Sequence, residues 1–317
     1  MPETSLRTLL DGVIDYAGLF PPAQLDMQSA VARYAEHRAS DECWMLGRFV
    51  VPMARLEEFE GAAAPLLAAD DEAAGHGRKP RTKEATATSA WHLGALVGTD
   101  VEGDATRVLQ FNSRHATGRR ADAIIESVEM RATTREEIER LATAMRDTGA
   151  QVYAELPLLG DPRPLVEAAG ACGVRVKVRT GGVTADAFPA AADLARFVVA
   201  CAEVGVPFKA TAGLHHALPG EHPLTYEPDA PRGTMFGFVN VLLAAALARE
   251  GATAGEIEPL LEERSASAIV FDGDGATWRE RRLTTTSLAR ARREALTAIG
   301  SCSFSEPVDE LEALGWL

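Results

Sequence analysis

The sequence alternates between two kinds of segment. Eight short apolar runs, rich in valine, isoleucine and leucine, are each followed by a longer stretch with helical spacing. The strand candidates are 12–19, 45–52, 91–97, 123–128, 151–156, 174–179, 206–211 and 266–271. Helices are read at 26–38, 54–69, from Asp104, from Thr133-Thr134, and at 162–172, 185–204, 234–249 and 285–299. Strand then helix, eight times over, predicts parallel strands closed into a ring with helices outside. That is an α/β fold, a single (β/α)8 TIM barrel. The 317 residues suffice for one such domain over 1–317. Charge and glycine displace large apolar groups at 70–89, which predicts a mobile surface insertion, and 301–317 reads as a C-terminal tail.

The sixth strand alternates cleanly. Val174, Val176 and Val178 share one face, while Arg175, Lys177 and Arg179 share the other. In a barrel the valines suit the helix layer, so the basic row points inward. Such barrels place their chemistry at the C-terminal strand ends. Asp15, Arg48, Glu155, Lys177, Arg179, Lys209 and Asp272 fall there.

Lysine is scarce. It occurs only at Lys79, Lys83, Lys177 and Lys209, the first two in a polar loop and the last two in apolar strands. Arginine does nearly all the other basic work. What lysine adds is an amine that can lose its proton and attack a carbonyl. Structural lysines, each buried against a carboxylate, are the competing reading. Two cations about 5 Å apart at an effective dielectric near 20 repel by roughly 3 kcal/mol. The expectation is that Lys209 and Arg179 lower the pKa of Lys177 through this repulsion.

A net charge of -14 argues against a nucleic-acid or anionic-membrane partner. No apolar run approaches the ~20 residues of a membrane span, and no signal-peptide pattern opens the chain. Cys43, Cys172, Cys201 and Cys302 are widely spaced, as in a reducing compartment, and a cytoplasmic location is expected.

Three segments, in order, resemble the deoxyribose-phosphate aldolase group of class I (Schiff-base) aldolases. Ile14-Asp15 with Leu19, Pro21 and Ala23 is similar to its first strand. Lys177, Thr180 and Gly181 match K-x-x-T-G, whose lysine forms the imine in that family. Lys209-Ala210 and Gly213 are similar to K-A-x-G-G, with Ala212 at the first glycine. Residues 152–159, VYAELPLL, resemble the fifth strand, with Glu155 at its glutamate.

The resemblance implies a lyase in which Lys177 forms a Schiff base, Lys209 tunes it, and Asp15, Glu155 and Glu126 move protons. Where the family carries a strand-four aspartate, this chain has Ile125, with Glu126 one residue away. The family binds phosphate after strands seven and eight. Asp272 and Asp274 would repel one here, so no dependence on a substrate phosphate is expected.

Arg48, Arg179, Thr180, Gly181, Thr211, Gly213, His215, His216 and Asp272 complete the expected substrate-binding set. The expected partner is a small-molecule carbonyl substrate, with no cofactor and no metal, and with a homo-oligomer left open. Two alternatives stand beside this reading. One is a metal-dependent hydrolase or isomerase using His215, His216 or His222. The other is a non-catalytic metabolite-binding barrel.

Overall fold

The valines of the sixth strand are buried against the helix layer and its lysine points inside the ring, as the alternation requires. The structure, a computed structural model, describes residues 3–75, 90–117, 120–158 and 160–317. Eight strands form the barrel: β1 (Ile14–Tyr16), β2 (Leu46–Pro52), β3 (Trp91–Leu96), β4 (Ala123–Arg131), β5 (Gln151–Glu155), β6 (Arg175–Arg179), β7 (Phe208–Thr211) and β8 (Leu296–Ser301). They pair in parallel and close when β8 returns to β1, Asp15 lying beside Gly300. Helices surround the ring, making a (β/α)8 barrel. The apolar core lies between strands and helices, where Val176, Phe208 and Ile299 meet Leu194, Phe197 and Leu242.

The eighth strand is not the expected one. Residues 266–271 do contain a strand, Ile269–Phe271, but it pairs antiparallel with Gly275–Trp278, which pairs with Arg281–Thr284. A neighbour a few residues away is reached with little loop entropy, so the β-branched run is spent locally. The predicted helix 285–299 ends at Glu294, where Ala295 (φ -126°, ψ -100°) breaks it, and Leu296–Ser301 closes the barrel. The tail holds a further helix, Ser305–Ala313.

Other boundaries move as well. Helix Leu56–Gly75 runs through the first part of the expected insertion, and 76–89 lie outside the described residues. β4 extends to Arg131 and carries a bulge. Leu93 pairs with Ile125 but Gly94 pairs with Ser127, leaving Glu126 unpaired on that side. The segment after β7 contains a hairpin, Gly220–Pro223 with Arg232–Met235, so the next helix starts at Phe238 rather than 234. Among the described residues no helix is long and apolar enough to cross a membrane.

Candidate active site

A cavity of about 190 Å³ opens among the C-terminal strand ends. Lys177, Lys209 and Glu129 form its polar floor, while Phe20, Leu96 and Met235 contribute to apolar walls. Lys177 and Lys209 are register neighbours on β6 and β7, which carries both amines into the ring at one level. Carboxylates hold them there. Lys209 Nζ donates to Asp15 Oδ2 at 2.5 Å and to Glu129 Oε1 at 2.5 Å. Lys177 Nζ donates to Glu129 Oε2 at 2.6 Å and lies 2.8 Å from Glu155 Oε2. Glu129 thus bridges the two amines, one oxygen to each.

The expected pair of mutually repelling cations is not what the site presents: each amine is ion-paired with carboxylates. Two bare cations would repel, but three carboxylates face two amines. Burial alone would lower the Lys209 pKa; Asp15 and Glu129 outweigh it and push it up. Burial alone would raise that of Glu129, yet the two lysines hold it down at about 2.

Arg48 and Glu126 sit behind this network. The Arg48 backbone N–H donates to Asp15 Oδ1 at 2.7 Å. Its guanidinium lies 3.2 Å from Glu126, which is also 2.7 Å from His92 Nδ1. Neither Arg48 nor Glu126 lines the cavity, so Arg48 orients Asp15 rather than facing a substrate. Lower in the ring, the Tyr153 hydroxyl lies 2.9 Å from Thr297 Oγ1, and Arg175 donates to it at 3.1 Å.

Arg179, Thr211, Gly213 and His215 line the cavity as expected. Arg179 is exposed at its edge. Thr180 turns away: its hydroxyl donates to the Ala212 carbonyl at 2.6 Å and ties the β6 and β7 turns together. Gly181 and Gly213 leave room for Phe188; a Cβ would come within 2.3 and 2.7 Å of its ring. Ala212 holds φ 68°, a left-handed conformation that disfavours a side chain and costs of order 1 kcal/mol.

His215 is buried, 3.2 Å from Glu306 Oε2 and 3.9 Å from Cys302 Sγ. Burial would lower its pKa; contacts with Cys302 and Glu306 outweigh this and push it up to about 9. His216 lies apart, on the outer rim against Glu310.

Asp272 is a correction. Because its strand belongs to the small antiparallel sheet, it lies outside the barrel mouth. Its carboxylate pairs with Arg282 at 2.9 Å, and its carbonyl accepts from Ser5 of the N-terminal helix Thr4–Leu10. The Arg282 hydrogen bond leads in holding its pKa near 2. It serves as a turn residue.

Glu129 is the site residue that the sequence reading missed. Its signal was present: Ser127, Glu129 and Arg131 continue a polar alternation past the point where β4 was expected to end. The fold and site define a (β/α)8 barrel with a buried lysine–carboxylate network at its mouth, a frame that serves many unrelated reactions. The chain matches no protein-family model and no curated protein.

Proposed function

We propose that the protein is a class I, aldolase-like lyase in which Lys177 forms a Schiff base with a small aldehyde or ketone. It would be a distant relative of the deoxyribose-phosphate aldolase group. The observation that carries this reading is the Glu129 bridge at the floor of an open cavity, with both lysines among the residues that line that cavity. In this reading Glu129 supplies what Ile125 cannot. It stands on the same strand, beyond the bulge, and touches both lysines.

The chemistry follows from the contacts. Lys177 passes a proton to Glu155, and its neutral amine attacks the carbonyl carbon. Lys209, held cationic by Asp15 and Glu129, stabilises the oxygen as charge develops on it. That oxygen leaves as water and an imine forms. Glu155, returned to its ionised form when it gives its proton to the departing water, takes the proton of the substrate's β-hydroxyl. The protonated imine accepts the electron pair of the breaking carbon–carbon bond and the first carbonyl fragment leaves. The enamine takes that proton back at carbon, and water hydrolyses the imine to release the second product and the amine. A substrate phosphate is not required. Arg179 at the cavity edge suits a carboxylate or hydroxyl on the substrate instead.

Borohydride trapping with a series of aldehydes and keto acids, read by intact mass and peptide mapping, tests the proposal. An adduct on Lys177 is expected in the wild type and none in Lys177→Arg, which keeps the charge and loses the amine. Equal trapping in both, or none with any carbonyl compound, would sink it.

A further inference from the structure

Outside the lysine site, three segments bring imidazole and carboxylate groups together on the rim. Among the described residues, His216, His222 and Glu310 each offer one ligand atom, all within 4.8 Å of one another. We propose that these three residues bind a divalent transition metal ion, with zinc as the best fit. Two neutral imidazoles and one carboxylate suit zinc and its neighbours in the first transition row, and they are a poor set for magnesium or calcium, which prefer all-oxygen shells.

The backbone of each ligand is fixed before any ion arrives. His216 follows β7 and is held by a bridge to Gly237, where the Phe238 N–H donates to its carbonyl at 2.9 Å. His222 stands on the hairpin strand Gly220–Pro223, paired with Gly233. Glu310 projects from helix Ser305–Ala313, and its Oε2 accepts the Ala217 N–H at 2.7 Å, which aims Oε1 at His216 Nδ1.

The side chains need adjustment. The two imidazoles lie face to face, centroids 3.3 Å apart and 12° from parallel, so their in-plane lone pairs run side by side. An ion would enter between Glu310 Oε1 and His216, and the His222 ring would turn to aim a nitrogen at it. Gly220 gives that ring its space: a Cβ there would come within 2.4 Å of His222 Nε2. Ligand atoms about 2.0–2.2 Å from zinc lie some 3–3.5 Å from one another, so rotation of the side chains must open the short Glu310–His216 contact as well as close the wider gaps. The three ligands come from the β7 segment, the hairpin and the C-terminal helix. The ion would therefore cross-link three pieces of chain beside the cavity, leaving a fourth position open to water.

The test uses the tag-free full chain, stripped with a chelator and titrated with Zn²⁺ by calorimetry and with Co²⁺ by visible absorbance. The expected result is one ion per chain, with a ligand-field spectrum of low coordination number and a melting temperature raised by zinc. His222→Ala and Glu310→Gln should each weaken binding more than about 100-fold, since losing even an outer-shell partner costs ~10–100-fold. Glutamine can keep the Ala217 hydrogen bond, so Glu310→Gln tests the site even where His222→Ala fails to fold. Absence of stoichiometric binding, or undiminished binding by folded Glu310→Gln, would overturn the proposal.

Discussion

Glu129→Gln should destabilise the protein at neutral pH, and the size of the loss should depend on pH in a defined direction. The substitution keeps the shape of the side chain and removes the charge that bridges Lys177 and Lys209. The two lysines hold the Glu129 carboxyl at about 2, against an ordinary 4.5. At about 1.4 kcal/mol per pH unit, that gap is worth about 3 kcal/mol. Loss of one partner from a buried ion network also costs roughly 3–5 kcal/mol by general experience. A depressed carboxyl stabilises the folded state above its unfolded pKa, and the benefit fades as pH falls from about 4.5 towards 2. Urea unfolding of wild type and variant gives the difference between them, in which the other carboxylates largely cancel. That difference should be about 3 kcal/mol near pH 7 and smaller by about 1 kcal/mol one pH unit below 4.5. A gap that stays constant over this range, or a variant as stable as the wild type, would refute the assignment of Glu129 as an ionised bridge.

Two further outcomes follow from single contacts. Asn240 is fully buried, and its Nδ2 donates to the carbonyls of Leu260 at 2.7 Å and Glu263 at 2.9 Å, so Asn240→Ala should cost about 1–3 kcal/mol in a denaturant melt. Gly47→Ala would set a Cβ 2.4 Å from Asp15 Oδ1, pushing that carboxylate off its partners; a loss of about 1–3 kcal/mol is expected, and an unchanged melting temperature would show that the strand yields freely.

Much of this barrel was legible from period alone. β6 shows why: valines alternate with basic residues, and only one arrangement buries the first set and encloses the second. Lys177 and Lys209 stood out because a scarce residue type appeared twice inside apolar strands. β8 was hidden for the opposite reason. Leu296–Ser301 dilutes Leu296 and Ile299 with alanine, glycine, serine and threonine and follows an arginine-rich helix, whereas Ile269–Phe271 has the stronger strand composition. Propensity describes the single segment, and the choice of partner belongs to the closed ring. Glu129 was missed because the apolar run that marks β4 stops at Val128, while pairing with β5 carries the strand on to Arg131 through polar residues that composition does not single out. Asp272 was drawn into the expected site only because its strand was given the wrong neighbours.

The placement of β8 has a consequence for the growing chain. Between Thr211 at the end of β7 and Leu296 at the start of β8 come the rim hairpin, two helices, the antiparallel sheet and a third helix. While that length is synthesised, β1 and β7 are both bare edges, with unpaired amides and carbonyls open to any other strand. Translation at about 5–20 residues per second makes the interval from Thr211 to Ser301 roughly 5–20 s. Asp15 and Lys209, 194 residues apart, can meet during that time, but the ring around them cannot shut. A set of strands β1 to β7 that had already paired would stay an open crescent, edged by β1 and β7, until the last strand arrived.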